Sequence, residues 1–191
     1  MKRTRIGILV LAVSATAMLG VAGAANEPSP YVGLEGRGIK SLSADEARGL
    51  IAGEGMAQSL PAELNGYPGP RHVREHADAL GLSPEQRSRA SALEADMQRQ
   101  AETLGREVVA LEGALDRLFQ DQKADPAAVE RLTDDIGRKR GALRAVHLRA
   151  HVAMAQALSA EQRARYMALR GYGGKDGAHH APPAGHHRRH H

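Results

Sequence analysis

Ten histidines in a chain of 191 residues that contains no cysteine are the side chains here best suited to chemistry. His72 and His76 stand four apart just after Pro70. His147 and His151 repeat that spacing, with Met154 three residues farther on. Residues at i, i+4 and i+7 share a helical face, so each pair can offer two imidazoles to one ion. Neutral imidazole suits zinc, nickel, cobalt and copper, and a thioether softens a site toward copper(I). The other six, His179, His180, His186, His187, His190 and His191, crowd the C-terminal stretch. Such a cluster binds divalent ions loosely, and protonation weakens it as pH falls through about 6.5. A competing reading stays open: each pair lies on a solvated face or flanks the core, donating to carboxylates or carbonyls, while Met154 and Met97 are ordinary packing.

The elements that must carry these residues are helices. Three related phrases, LSADEARGL from Leu42, LSPEQRSRA from Leu82 and LSAEQRARY from Leu158, each place a serine before a helix. Ser43, Ser83 and Ser159 are expected to cap exposed backbone N–H groups, with Glu46, Gln86 and Gln162 reaching back from three residues later. The first phrase opens a short helix to about Gln58, weakened by Gly49, Gly53 and Gly55. Pro70 opens a second, RHVREHADAL, stopped by Gly81. From Ser83, Leu93, Met97, Leu104, Val108, Leu111, Leu115 and Leu118 keep a helical period to about Phe119. DQKADP breaks the run. Val129, Leu132, Ile136, Leu143 and Val146 then continue the period on a second long helix, with Lys139 on the seam where an apolar residue is expected. A short loop between two long helices predicts an antiparallel hairpin, and no strand signal competes with it.

Residues 1–24 carry Lys2, Arg3 and Arg5, an apolar run and then Ala22-Gly23-Ala24, the pattern of a cleavable export signal; an uncleaved membrane anchor is the rival reading. Residues 25–41 read as an extended leader, 42–172 as the helical domain and 173–191 as a disordered His-rich tail. The formal charge of +4 includes the signal's cations, and aromatic residues are few, so nucleic-acid binding gains no support. No G-x-S-x-G, H-E-x-x-H or phosphate-cradling loop occurs, and Asp134 and Asp135 fall on different helical faces. The expectation is a protein that is not an enzyme and holds no organic cofactor.

Leu82, Ser83 and Gln86, with Leu158, Ser159 and Gln162, resemble the twice-occurring LTxxQ signature of the Spy/CpxP family, serine standing for threonine. The resemblance spans roughly residues 70 to 170 and implies an all-α, cradle-shaped homodimer in the bacterial periplasm. That family includes ATP-independent chaperones, inhibitors of envelope-stress sensor kinases, and metal-binding sensors or resistance proteins. Its metal-sensing branch joins a His-x-x-x-His pair to a histidine and methionine late in the hairpin and a carboxylate between them. His72, His76 and His147 or His151 match, Met154 departs by one residue of spacing, and Glu94 is the carboxylate the resemblance points to. The leading expectation is heavy-metal sensing or resistance with zinc, nickel, cobalt or copper. The first alternative is a chaperone holding unfolded periplasmic proteins beside Arg87, Arg89, Arg99 and Arg106. The second is a regulatory partner of a membrane-bound kinase or anti-sigma factor.

Overall fold

The computed structural model describes residues 28–172, so the expected signal, the first residues of the expected leader and the six histidines after residue 172 lie outside the described residues. Residues 28–33 belong to a separate small unit, an exposed turn in which the Ser29 hydroxyl accepts the Tyr31 N–H at 3.3 Å. The larger unit begins at Leu34, earlier than position 42. Its first residues are docked rather than extended. A 3-10 turn at Leu34–Gly36 leads to Leu42, which is buried with Leu50, Ala101, Val108 and Leu143, with Ile39 packed against that cluster. Ser41 donates its hydroxyl to the buried Glu112 carboxylate at 2.7 Å, and Arg140 donates to the other oxygen at 2.6 Å.

Every regular element among the described residues is helical: α1 (Ala44–Ile51), α2 (Leu60–Glu63), α3 (Pro70–Glu75), α4 (Pro84–Gln120), α5 (Pro126–Ala157) and α6 (Ala160–Leu169). None of them is long and apolar enough to cross a membrane. The helix expected to reach Gln58 stops at Ile51, and Gly53 beyond it takes a left-handed φ of 65°. Met56 and Ala57 follow at φ 41° and 63°, a conformation unfavourable for side chains with a Cβ. The helix from Pro70 likewise closes early, at Glu75, and the chain turns to Gly81.

The two long helices pack as the expected hairpin. At 37 residues, α4 is about 55 Å long. Asp125 caps α5 by accepting the Ala128 N–H at 2.9 Å, with Pro126 in the first turn. The most deeply buried positions of α4 are small or slender, Ala90, Ala101, Gly105 and Val108, whereas Leu104, Leu111, Leu115 and Leu118 are at most half-buried. Close approach of neighbouring backbones selects the small residues. Lys139 is wet at the seam: its ammonium pairs with Glu107 of α4 at 2.6 Å while the side chain stays 41 % exposed.

The two best copies of the repeated phrase meet in space. Ser83 and Ser159 each accept the N–H of the glutamine three residues on, and Gln86 and Gln162 return to the serine N–H groups, so both boxes are complete. Each glutamine also donates its amide to the other's oxygen, at 2.9 Å in both directions. Gln86 reaches the Ala157 carbonyl as well, at 2.9 Å. A repeat that looks like local capping is thus a clasp between the start of α4 and the end of α5. Gln86→Ala and Gln162→Ala should each cost about 1–2 kcal/mol. In urea unfolding the pair should show a coupling energy of about 1 kcal/mol; strictly additive losses would mean that the amides do not act together.

Candidate metal centre

α5 brings His147 and His151 to the same level of the hairpin as the start of α3, where His72 stands. All three line one pocket of about 500 Å³, with Glu94, Met97 and Gln98 from α4 and residues 52–56 after α1 as further walls. The Gln98 amide holds the latter wall by donating to the Ala52 carbonyl.

Partners on the rings fix which nitrogens are free. The His72 Nδ1 meets Glu75 Oε2 at 2.9 Å, and the His151 Nδ1 donates to the Tyr67 carbonyl at 2.7 Å. Both arrangements leave Nε2 as the lone-pair nitrogen. His147 is 2 % exposed and its Nε2 is buried with no hydrogen-bond partner. Buried polar atoms are rarely left so, because an unsatisfied one costs about 1–3 kcal/mol.

Burial pushes the His147 imidazole below the usual histidine range, and the nearby His151 adds to the effect. Burial also lowers His151; the Tyr67 carbonyl and Glu63 counteract part of this, and His72 adds to it. Neutral rings with unprotonated nitrogens are the form that metal ligation requires.

The other expected site residues are placed differently. His76 does not line the pocket: as the C-cap of α3 it has left helical geometry at φ −103° and ψ 21°, which undoes the i, i+4 alignment with His72. Met154 continues the α5 stripe but sits one turn past His151, where α3 and α6 close over the helix. There it is 0 % exposed among Val73, Leu80 and Tyr166. Met97, expected as packing, lines the pocket instead, together with Met56. Glu94 reaches the pocket, yet its carboxylate is taken by Arg74, with contacts of 2.6 and 3.4 Å. Among the described residues no three His, Asp or Glu side chains already stand in a metal-holding group.

Sequence reading missed Glu63. It is a buried carboxylate on α2 that accepts the Tyr166 hydroxyl at 2.6 Å and the Gly69 N–H at 3.3 Å. The acidic Glu63 pushes the Tyr166 phenol up, behind a larger effect of burial. Nothing in the spacing marks it: Tyr166 is 103 residues away, and Gly69, six residues on, meets it through a backbone N–H that any residue but proline carries.

Comparison with known families decides the affiliation: the profile for heavy-metal resistance matches residues 55–165, which take in α2 to α5 and the start of α6. The chain belongs to the heavy-metal resistance family. That family falls in the Spy/CpxP-like group, as the paired serine–glutamine phrases suggested. No curated protein and no solved structure matches the chain. Within the heavy-metal resistance match lie His72, His147, His151, Glu94 and both pocket methionines.

Proposed function

We propose that the protein is a periplasmic metal-binding protein of heavy-metal sensing or resistance, loading a late transition metal (zinc, nickel, cobalt or copper) through His72, His147 and His151. The observation that carries this reading is the partnerless Nε2 of His147, buried in a pocket that two further imidazoles share. An atom in that state is stabilised by a cation or by a hydrogen-bonding partner that enters the pocket. Met97 and Met56 add thioethers, and Glu94 adds a carboxylate once released from Arg74. A bound ion would supply coordinate bonds that join residues of separate elements. The chain's own part is to favour the neutral form of the two α5 rings by burial, engage Nδ1 of His72 and His151, and bring α3 to α5. His72 is the movable member, being on a six-residue helix at the pocket mouth, whereas the α5 pair is rigid. The cross-link of α3 to α5 through the ion would be the signal, passed to a homodimer partner or a membrane-bound regulator.

A chaperone reading has one observation in its favour: Ile51, Met56, Leu60, Leu64 and Tyr67 are all exposed. Against it, Arg87, Arg99 and Arg106 are already paired with Asp78, Asp96 and Glu102 of the same chain.

Calorimetric titration of nickel(II), cobalt(II), zinc(II) and copper(II) separates the two. The protein used is the chain with its six tail histidines changed to serine, beside the same protein carrying His72→Ala, His147→Ala and His151→Ala. Saturable binding of one ion per chain, lost in the triple variant, is expected. No heat with any ion would sink the metal reading and leave suppression of aggregation, tested in the presence of chelator, as the activity to measure.

A further inference from the structure

Glu63 is 7 % exposed, and each of its oxygens has an assigned place. Oε1 accepts the Tyr166 O–H at 2.6 Å and faces the Arg170 Nε at 3.3 Å. Oε2 accepts the Gly69 N–H at 3.3 Å and lies 3.7 Å from the His151 Nδ1. That nitrogen donates to the Tyr67 carbonyl at 2.7 Å. The Nδ1 proton of His151 therefore sits between a carbonyl and a carboxylate, both on the segment that runs from α2 to α3. Its other side is equally constrained, because a Cβ on Gly69 would come within 3.0 Å of the ring's Cε1 and Nε2. The glycine lets the backbone lie against the imidazole, and Glu63 holds that backbone by its N–H.

We propose that Glu63 is a positioning residue of the pocket: by holding the Gly69 backbone and setting a charge behind Nδ1, it supports the Tyr67 carbonyl in keeping His151 in the Nδ1–H tautomer with Nε2 toward the pocket, and through Tyr166 it fastens that arrangement to α6. The inference rests on the metal-binding reading for its purpose but not for its geometry. A carboxylate behind an imidazole raises the donor strength of the opposite nitrogen, and loss of such a partner typically weakens ion affinity about 10- to 100-fold. Neutral acceptors on the same loop would orient the ring but supply no charge. Tyr166 and Arg170 tie the same carboxylate to the C-terminal segment, the first by a hydrogen bond and the second by its charge at 3.3 Å. A purely structural Glu63 would not require His151 at all; its hydrogen bonds to Gly69 and Tyr166 would suffice.

Two measurements on the full chain with the tail histidines changed to serine test this. The first is long-range 1H–15N NMR of the His151 ring in metal-free protein, which reports the tautomer directly. The second is calorimetric titration with nickel(II) and zinc(II) chloride. Wild type should show a single Nδ1–H tautomer, Glu63→Gln a mixture of tautomers, and the variant's ion affinity should fall about 10- to 100-fold. An Nε2–H tautomer in wild type overturns the proposal without any variant, and so does a Glu63→Gln protein with unchanged tautomer and affinity. A tautomer shift in Glu63→Gln combined with no ion binding by wild type upholds the positioning role and removes the metal reading instead. Should Glu63→Gln fail to fold, Glu63→Asp, which keeps the charge but draws it back from the ring, is measured in its place: a fall in ion affinity is expected, and unchanged tautomer and affinity would overturn the proposal.

Discussion

Gly105→Val should destabilise the protein by about 3 kcal/mol and open the histidine-lined pocket along with it. A Cβ at position 105 would overlap the Leu50 carbonyl oxygen and carbon, both backbone atoms of α1 that cannot turn aside as a side chain can. Something must move by more than an ångström. α1 is the weaker element, eight residues long and held at its start by the Ser43–Glu46 box. Its detachment would carry away residues 52–56, the pocket wall, and release the cluster of Leu42 and Leu50 against Val108 and Leu143. Urea unfolding checks the stability, and calorimetry on the variant checks the pocket. A loss below about 1 kcal/mol would mean that α1 is not seated on α4 as described.

The second large effect concerns His147. Replacing it with leucine removes a buried nitrogen that has no partner, so the metal-free protein should gain about 1–2 kcal/mol, roughly 4–8 °C in melting temperature. The same variant should lose the rise in melting temperature that saturating ion gives wild type. That rise is about 2.7 kcal/mol in free energy at an ion concentration 100 times the dissociation constant.

The pH dependence follows from the same residue. His147 and His151 are held below the usual histidine range in the fold, so between the folded and unfolded values the unfolded chain binds more protons. Their share of stability is intact above about pH 6.5 and is lost as pH falls from there through the lower folded values. His147→Leu should flatten that part of the profile. A variant that is less stable than wild type in the absence of metal would show that the imidazole is satisfied after all.

What the sequence made legible was local. Serine before a helix with glutamate or glutamine three residues later located three helix starts, and the apolar period located both long helices. His147 and His151 were recognisable as one face because α5 runs unbroken through them. His76 and Met154 were not separable from that pattern, since spacing carries no information about where α3 ends or where α6 covers α5. Glu63 is silent for a related reason: Tyr166 comes from the far end of the domain, and Gly69 bonds through a backbone N–H that carries no sequence signal. Gly105 did carry a signal. A glycine inside a strongly helical run costs about 1 kcal/mol and calls for a packing reason. The clasp had been half read, as two caps rather than as one contact.

That clasp has a mechanical consequence. Gln86 and Gln162 join the points where the chain enters α4 and leaves α5, so everything from 87 to 161 forms a loop whose neck is tied by paired amides. Tension applied through the two ends of the chain, as during translocation or extraction from a membrane, is carried across the neck and bypasses the hairpin. The pocket histidines on α5 lie inside the tied loop, whereas His72 lies outside it, on the strand of force. Pulling would draw His72 away first and leave the other two imidazoles where they stand.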